Sequence, residues 1–280
     1  MNLITASVVL YNTPEHQLRR LLSCIERASV CRMVYLVDNS PYPIDCALYH
    51  LPWVMYLRSE KNVGYGAGHN IAIREAILNS EFHFVLNPDI YFDAQELQKM
   101  IVRMKEDGSI GQLMPKVIYP DGGLQYLCKL IPTPVDLFLR RFLRGPFKEL
   151  AREKAEQFEL RFSGYNCEMD VPYLSGCFML FRISALVKIG LFDERFFMYP
   201  EDIDITRRMH SQYRTIFYPG STIVHDHAKE SYKSKKMLWI HLTNLIKYFN
   251  KWGWIFDAER KKVNAQTLKS LRDGLQKSPN

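Results

Sequence analysis

With 280 residues, of which 47% are hydrophobic and 24% charged, the chain is long enough to form one large domain with a substantial core. No stretch reaches the roughly 20 uncharged apolar residues of a membrane-spanning helix, and the sequence does not begin with a basic leader, so we expect a cytoplasmic protein. The formal charge of +7 favours polyanionic partners and leaves nucleic acid, anionic membrane and phosphorylated ligands open.

Along the first hundred residues, apolar strand patterns alternate with helical patterns, as in a mostly parallel α/β sheet. The predicted strands cover residues 3–11, 33–37, 53–57 and 82–86. The predicted helices cover residues 14–27, 66–79 and 93–105. Thr13 and Pro14 are expected to start the first helix, and Asp93 with Glu96 forms a capping-box pattern at the start of the third.

Polar residues follow the first two strands at the point where each strand ends. Asn12 follows the first strand and Asp38 the second, which places both at the sheet edge where open α/β folds bind ligands. Asp38 therefore either binds the ribose or base of a nucleotide, or serves the turn chemistry of residues 38–41. Asn12 has the same two interpretations, a ligand contact or a cap for the first helix.

Three alternate glycines precede the second helix in the sequence NVGYGAGHN at 62–70. Gly64 and Gly68 would let the backbone approach a diphosphate, which the amides of a helix N-terminus also favour. The alternative is a plain tight turn, because the pattern is neither a GxGxxG after the first strand nor a Walker loop. The flanking Asn62 and Asn70 favour a ligand site, since their amides can anchor the loop or a base.

The first of two acidic clusters follows the apolar strand at 82–86. Mg²⁺ and Mn²⁺ are commonly held by one or two carboxylates together with substrate phosphates. Asp89 is therefore a candidate metal ligand, and Asn87 offers a second oxygen. A cap for the next helix is the less favoured interpretation, because Asp93 already fills that position.

The second half of the chain continues the alternation of strands and helices. Its predicted elements are a strand at 110–119, a basic helical stretch at 132–162, a bent strand at 171–181, and short strands at 216–218 and 222–224. Within the bent strand, the Ser175–Gly176 pair marks a point where a ligand can approach the backbone closely.

The second acidic cluster opens a predicted helix with Glu201, Asp202 and Asp204. The helix dipole favours acids in a first turn, but three acids within four residues exceed that need. A carboxylate in this position can act as the general base that deprotonates an acceptor hydroxyl. A metal held by the first cluster would then neutralise a departing diphosphate.

Two histidines follow the last predicted strand. Neutral imidazole suits Mn²⁺ alongside carboxylates, so His225 is a candidate metal ligand, and His227 is the less favoured of the two. A histidine on the surface or satisfied within the core is the alternative.

The order of these motifs resembles a known family, glycosyltransferase family 2, and within it the rhamnosyltransferase-like enzymes of bacterial surface polysaccharide synthesis. The likeness covers residues 1 to 250 and rests on motif order. The motifs are VVLYNTP at 8–14, VDNS at 37–40, NVGYGAGHN at 62–70, LNPD at 86–89, LSGCFMLFR at 174–182, GLFDERFFMYPEDID at 190–204 and VHDHAKES at 224–231.

This resemblance implies a GT-A fold, an inverting mechanism, a nucleotide-diphosphate sugar donor and a divalent cation, Mn²⁺ or Mg²⁺. It implies that Asp202 is the catalytic base, with Glu201 and Asp204 as its neighbours. Asp89 matches the metal-binding aspartate of a DxD motif in which Asn87 replaces the first acid, and His225 is implied as a further metal ligand. The implied donor-site residues are Asn12, Asp38, Asn62, Gly64, Gly68, Asn70 and Asn87.

The resemblance also suggests partners and an organisation of the chain. Residues 1–110 form the nucleotide-sugar-binding half, residues 111–230 the acceptor-binding and catalytic half of the same GT-A domain, and residues 231–280 a helical C-terminal extension. The expected acceptor is a glycan or a polyprenyl-diphosphate-linked glycan, and no nucleic acid is expected. The expected location is cytoplasmic, including the inner face of the cell membrane.

An apolar stripe in the C-terminal extension has two interpretations. Leu238, Leu242, Leu245, Phe249 and Trp252 recur at helical spacing, and lysines lie nearby. The stripe either packs on the catalytic domain or makes peripheral contact with lipid.

Rhamnose is the first expectation for the transferred sugar. Two alternatives to a rhamnosyltransferase remain at this point. One is a uridine-diphosphate hexose transferase of the same fold, and the other is a non-catalytic or nucleic-acid-binding α/β protein.

Overall fold

The computed structural model of the protein describes residues 3–44, 50–137, 148–226 and 235–277. Within these ranges, a central sheet carries helices on both faces, and two further helices follow at the C-terminal end. The predicted α/β architecture with a helical C-terminal extension is confirmed. None of the described helices combines the length and the apolarity needed to cross a bilayer.

The centre of the described fold is a nine-stranded, mostly parallel sheet, accompanied by a two-stranded ribbon. The strands are β1 (Leu3–Leu10), β2 (Met33–Asp38), β3 (Val54–Arg58), β4 (Ser80–Leu86), β5 (Ile90–Tyr91), β6 (Ile110–Ile118), β7 (Cys128–Lys129), β8 (Met169–Asp170), β9 (Tyr173–Leu174), β10 (Phe178–Arg182) and β11 (Arg214–His225). The spatial order is β3-β2-β1-β4-β10-β6-β11-β5, with β8 beside β11, and β7 pairs with β9. Strand β10 is antiparallel to both of its neighbours, whereas β1 to β4 pair in parallel, as do β6 and β11.

Helices cover both faces of this sheet. They are α1 (Glu15–Ala28), α2 (Tyr65–Ala76), α3 (Gln95–Glu106), α4 (Lys148–Phe158), α5 (Ile183–Ile189), α6 (Pro200–His210), α7 (Lys235–Trp252) and α8 (Ala258–Lys277). Strand β4 shows how its side chains divide between the two faces. Phe84 packs in the cluster that contains α1 and α3, whereas its neighbour Val85 packs with α5 and α6. Successive strand residues point to opposite faces, so one apolar run serves both layers.

Two predicted helix caps are wrong in detail. Helix α1 begins at Glu15 with Pro14 as its N-cap, and the hydroxyl of Thr13 instead accepts the N–H of Tyr11 at 3.2 Å. Helix α3 has no side-chain cap, because the Glu96 carboxylate accepts the N–H of Thr222 at 2.7 Å. In the second case a contact with β11 replaces the local capping bond.

The second half departs from the predicted elements in two places. The two short strands predicted at 216–218 and 222–224 form one strand, β11, whose register shifts between Tyr218 and Thr222. The basic stretch predicted as helical at 132–162 contains α4, and its residues 138–147 lie outside the described part of the chain.

The C-terminal helices pack on the part of the chain that is built around the central sheet. Leu245 and Phe249 of α7 are buried, and Phe249 shares a cluster with Phe196 and Ile203. The amide of Asn264 on α8 makes two hydrogen bonds to the backbone of Ile131, both at 2.9 Å. The apolar stripe predicted from the sequence therefore faces inward at its centre, which is the packed interpretation.

Candidate active site

The candidate site lies at the carboxyl edge of the sheet, where β1, β2 and β4 end side by side. Leu10 pairs with Asp38, and Val8 pairs with Leu86, so the segments that follow these strands begin at the same edge. The starts of α2 and α6 reach this edge as well, because the N–H of Tyr65 donates to the carbonyl oxygen of Phe197 at 2.9 Å. Residues from both halves of the chain therefore meet here.

Asp89 and His225 face each other across two paired strands. Ile90 of β5 lies opposite His225 at the end of β11, and the N–H of Asp226 donates to the carbonyl oxygen of Asp89 at 2.9 Å. As a result, Oδ1 of Asp89 lies 3.3 Å from Nε2 of His225. The structure brings together the two side chains that the sequence suggested as metal ligands, whereas His227 lies outside the described residues.

Gln125 fixes which nitrogen of His225 carries a proton. Its Nε2 donates to the carbonyl oxygens of His225 at 2.8 Å and Ile118 at 3.3 Å, so its Oε1 faces Nδ1 of His225 at 3.0 Å. Nδ1 is therefore a donor, and Nε2 is the ring nitrogen that faces the carboxylate of Asp89. Such an outer partner is typical of a metal-binding histidine. The sequence did not indicate Gln125, because it lies 100 residues from His225 in the chain.

The surroundings of Asp89 and His225 favour a positive charge, a proton or a cation, between the two side chains. Burial alone would lower the pKa of His225, but Cys177 and Asp89 raise it to about 10. A carboxylate and an imidazole that share a proton in this way are also donors that Mn²⁺ or Mg²⁺ accepts when phosphates or water complete the shell. The described ranges contain no group of three or more histidine, cysteine or acidic side chains that could hold a metal ion. The described part of the chain thus offers two side-chain ligands.

Asp202 is joined to the segment of Asp89 through the turn at Gly176 and Cys177. Oδ2 of Asp202 accepts the N–H of Gly176 at 3.1 Å, and the carbonyl oxygen of Cys177 accepts the N–H of Asn87 at 3.0 Å. A Cβ on Gly176 would lie 3.3 Å from the Cβ of Asp202, so the turn approaches this aspartate closely. One hydrogen bond to the Asp202 carboxylate and one between backbone groups thus connect the predicted base with the loop of the predicted metal ligand.

Tyr65 lies between the two acidic clusters, and the sequence did not single it out. Its hydroxyl donates to the carbonyl oxygen of Gly176 at 2.5 Å. Burial raises the pKa of Tyr65, and nearby acidic groups, including Asp89, Glu201 and Asp202, raise it further. Both clusters are therefore close enough to act on one side chain.

Glu201 is buried and Asp202 is half-buried, and the two carboxyl groups differ in their hydrogen bonds. Asp202 also accepts the N–H of Ile203 at 2.8 Å, whereas Oε2 of Glu201 accepts no hydrogen bond from the described residues. Burial raises the pKa of Asp202 to about 6. Burial and the charge of Asp202 raise the pKa of Glu201 to about 8. Both shifts favour one proton held by the pair, and Asp202, whose carboxylate accepts two backbone N–H groups, is the better candidate for the proton acceptor.

Asp204 lies on the other side of α6 from Asp202, as its spacing of two residues requires. Its carboxylate accepts hydrogen bonds from Arg208 and from Nε1 of Trp252, each at 2.8 Å, and forms an ion pair with Lys251 at 2.5 Å. These contacts give Asp204 a structural role between α6 and α7. Its predicted place beside the base is not reflected in its contacts.

Asp38 is fully buried at the end of β2. Its oxygens accept the N–H of Ser40 at 2.8 Å and the hydroxyl of Tyr56 at 2.6 Å, and Arg58 lies 3.2 Å away. Burial opposes the charged form, but these hydrogen bonds lower the pKa of Asp38. The N–H of Asn12 donates to the hydroxyl of the same Ser40 at 2.9 Å, which ties the loops after β1 and β2 together. These contacts favour the turn interpretation of Asp38, and its base contact stays a prediction.

The glycine segment divides into an outer and an inner part. Oδ1 of the exposed Asn62 accepts the N–H of Gly64, whose φ of +93° and closeness to the carbonyl oxygen of Phe197 exclude a side chain. Gly68 packs on β1, and the buried amide of Asn70 holds the loop that follows α5 through Phe192. Asn62 and Gly64 therefore lie near the edge of the site, whereas Gly68 and Asn70 contribute to packing inside the fold.

Sequence comparison finds glycosyltransferases. No protein-family model matches the chain. An N-acetylglucosaminyl-diphospho-decaprenol L-rhamnosyltransferase from Mycobacterium tuberculosis is 26% identical over 234 residues, which cover 77% of this chain and 74% of the relative. Rhamnosyltransferase WbbL of Escherichia coli is 36% identical over 81 residues, 28% of this chain and 30% of the relative. A low-salt glycan biosynthesis hexosyltransferase of Haloferax volcanii, Agl10, is 26% identical over 157 residues, 55% of this chain and 46% of the relative.

Structural comparison finds proteins of the same fold. GalNAc-T7 with UDP, GalNAc and Mn²⁺ matches with a TM-score of 0.60 and 13% identity over 81% of this chain and 44% of that one. Staphylococcus aureus TarS matches with a TM-score of 0.58 and 17% identity over 95% of this chain and 43% of that one. This chain thus spans less than half the length of both. The fold and the sequence likeness together identify the chain as a GT-A glycosyltransferase that resembles the rhamnosyltransferases of family 2.

Proposed function

We propose that this chain transfers a sugar, with rhamnose as the first candidate, from a nucleotide-diphosphate donor to a hydroxyl of a polyprenyl-diphosphate-linked glycan. The name of the mycobacterial relative supports both the sugar and the lipid-linked acceptor. The observation that carries the proposal is the connection of Asp202 to the Asp89–His225 pair through the Gly176–Cys177 turn. Such an acceptor is consistent with work at the inner face of the membrane.

Asp89 and His225 would hold the cation. Their side chains lie 3.3 Å apart, and Gln125 orients the imidazole with Nε2 toward the carboxylate. When bound there, Mn²⁺ or Mg²⁺ supplies positive charge that offsets the charge of the departing diphosphate. Two structural neighbours were solved with Mn²⁺, GalNAc-T7 and a mannosyltransferase from Pyrobaculum calidifontis that also carries GDP-mannose.

Asp202 would act as the general base in an inverting transfer. The acceptor oxygen forms a bond to the anomeric carbon from the face opposite the diphosphate, the bond between that carbon and the diphosphate oxygen breaks, and the acceptor proton passes to Asp202. Two backbone N–H donors keep its carboxylate in place. Glu201 stays protonated beside it, so the pair does not place two negative charges in a buried site.

The nucleotide would bind at the loops after β1, β2 and β4. Asn12 and Asn62 are exposed at this edge, and Asn87 is partly exposed. We expect these three to reach the donor directly. Asp38, Gly68 and Asn70 would support the same loops from the interior, where their contacts place them.

The first experiment is a thermal-shift panel of nucleotide sugars with and without Mn²⁺. A ligand at about 100 times its Kd stabilises the folded state by about 2.7 kcal/mol, a shift that is easily measured. We expect deoxythymidine-diphosphate rhamnose with Mn²⁺ to give the largest shift. Incubation with a polyprenyl-diphosphate N-acetylglucosamine acceptor should then yield a product heavier by one deoxyhexose in mass spectrometry.

Asp89→Asn serves as the control. The variant should melt at the wild-type temperature without ligand and lose the part of the shift that depends on Mn²⁺. A largest shift with a uridine-diphosphate hexose would replace rhamnose by hexose as the transferred sugar, the alternative that the likeness to Agl10 supports. If no nucleotide sugar moves the melting temperature, the proposal is wrong.

A further inference from the structure

The C-terminal extension carries an apolar face that points away from the catalytic domain. Among the residues that the structure describes, Trp239 and Ile246 of α7 are exposed, at 68% and 46%. In the turn between α7 and α8, Trp254 is 38% exposed, Ile255 71% and Phe256 89%. We refer to these five residues as the outer face. It is distinct from the inward stripe around Leu245 and Phe249 that the sequence suggested.

The helix and the turn contribute residues to the same side of the extension. Trp239 and Ile246 are seven residues apart, which places them on the same side of a helix. Asn250, four residues beyond Ile246, continues that side, and its Oδ1 accepts the N–H of Nε1 of Trp254 at 2.8 Å. The indole of Trp254 therefore lies at the end of this side of the helix, and the exposed Ile255 and Phe256 follow it in the turn.

The net charge of the whole chain is concentrated in the same extension. Residues 235–277 contain ten lysines and arginines against three acidic residues, a formal charge of +7, which equals that of all 280 residues. The rest of the chain is therefore neutral on balance. The two acids nearest the turn, Asp257 and Glu259, are engaged by the buried Arg207, whereas Lys261 and Lys262 are exposed.

We infer that the outer face docks on the surface of an anionic lipid bilayer. Exposed aromatic residues enter the interface between headgroups and acyl chains, and lysines beside them pair with anionic headgroups. A soluble partner would also cover an apolar patch, but the excess of basic residues in the same extension, with Lys261 and Lys262 exposed close to the turn, favours a polyanionic surface.

The same helix connects this surface with the catalytic segment. On its inner side, the amide of Asn244 donates to the carbonyl oxygen of Met198 at 3.0 Å, and the ring of His241 stacks on Tyr199 at 4.6 Å between centroids. Glu201 and Asp202 follow directly. One helix diameter, about 10 Å, therefore separates the docked lipid surface from the segment that carries the proposed base.

The test is sedimentation of the full chain with vesicles of phosphatidylcholine alone or mixed with phosphatidylglycerol. We expect binding to the mixed vesicles that falls with added salt, and little binding to phosphatidylcholine. Ile255→Ser with Phe256→Ser should weaken binding at least about tenfold, because these side chains supply the apolar contact. Leu78→Ser with Val187→Ser is the matched control, since both residues are also exposed, at 79% and 57%, but lie elsewhere.

A second pair of variants tests the charge. Lys261→Glu with Lys262→Glu should also weaken binding about tenfold, whereas Lys105→Glu with Lys154→Glu, which are also exposed but lie on other helices, should leave it unchanged. Equal binding by the serine variant and the wild type would overturn the inference, as would no binding to either vesicle. A serine variant that changes oligomeric state while it keeps lipid binding would assign the face to a second protein copy. The thermal-shift panel needs no lipid, so failure here would leave the proposed transfer intact.

Discussion

At the scale of single residues, two adjacent carboxyl groups at the start of α6 have different surroundings. Asp202 accepts two backbone N–H groups, and Glu201 accepts no hydrogen bond at Oε2 from the described part of the chain. Since hydrogen bonds to a carboxylate favour its ionised form, the two groups separate into one acid and one base. Each assignment can be tested alone.

Asp202→Asn should remove the base and keep the fold, because an amide oxygen can still accept the N–H of Gly176. We expect kcat to fall by about 10² to 10⁴-fold, with little change in the KM for the donor. In the wild type, activity should fall as the pH drops below about 6, where Asp202 becomes protonated. Initial rates across this range measure both effects. If the asparagine variant shows the same acidic limb and a near-normal rate, another group is the base.

Glu201→Gln should keep most of the activity, because glutamine resembles the protonated acid. The folded state raises the pKa of Glu201 from an ordinary 4.5 to about 8. Its contribution to stability is therefore complete below about pH 4.5 and is lost as the pH rises through about 8, by up to about 1.4 kcal/mol per pH unit.

Glutamine has no proton to lose, so the variant should become more stable than the wild type as the pH rises from about 5 to about 8. Urea unfolding at these two pH values measures the difference in stability between the variant and the wild type. Glu153→Gln, at an exposed position of α4, should leave the pH dependence of stability unchanged. A parallel change in all three proteins would contradict the prediction.

The sequence located the acids of the site but not their contacts. Asp89, Asp202 and His225 were apparent because each ends or follows an apolar run, a local pattern. Gln125 and Tyr65 were missed because their roles depend on partners 100 and 111 residues away, Gln125 beside His225 and Tyr65 on the Gly176 carbonyl. Contacts between residues so far apart in the chain form only when the sheet assembles.

At the scale of secondary structure, the start of α6 depends on a strained turn. Tyr199, the N-cap of α6, has φ +93° and ψ −74°, a region that costs about 1–3 kcal/mol for a residue with a side chain. Neighbouring elements hold the turn from both sides: α2 through the carbonyl oxygen of Phe197, and α7 through Asn244 and His241. Helix α7 therefore helps to set the direction of Glu201 and Asp202.

Asn244→Ala should leave the carbonyl group of Met198 without its donor and loosen this turn. We expect a loss of about 1–3 kcal/mol of stability and a fall in kcat of about tenfold or more, with a smaller effect on the KM for the donor. Thr243→Ala is the control, because its hydroxyl bonds only to Ile240 of the same helix among the described contacts. Urea unfolding and initial rates should be measured on both variants. Lower stability with an unchanged kcat would reduce α7 to a structural support.

Element types were predictable from hydrophobic patterns, whereas element ends were less so. The parallel strands β1, β2 and β4 fall where their apolar runs predicted, because burial on both faces requires such runs. The capping box at α3 failed because Glu96 finds a partner in β11, far along the chain. Long-range hydrogen bonds of this kind override a local signal.

At the scale of the whole molecule, a buried ion pair joins α6, the helix of the proposed base, to the C-terminal extension. The guanidinium of Arg207 on α6 is 2% exposed and donates to both oxygens of Asp257 at 2.7 and 2.8 Å. It also donates to Glu259 at 2.8 Å and lies 4.0 Å from the ring centroid of Trp252. Periodicity predicted the helices of the extension, but the partners of Arg207 lie 50 and 52 residues away and left no sequence signal.

Asp257→Ala should destabilise the protein by about 3–5 kcal/mol, because it removes the bidentate carboxylate that neutralises the buried charge of Arg207. Glu259→Ala removes the other partner, whose side chain is 45% exposed, and should cost less than about 1 kcal/mol. Urea unfolding followed by fluorescence and by circular dichroism measures both. Because the pair joins the extension to α6, we expect one coincident transition in each protein. Two separate transitions would mean that the extension folds independently of α6 and that Arg207 does not couple them. Equal losses in the two variants would mean that the exposed Glu259 stabilises Arg207 as much as the buried Asp257 does.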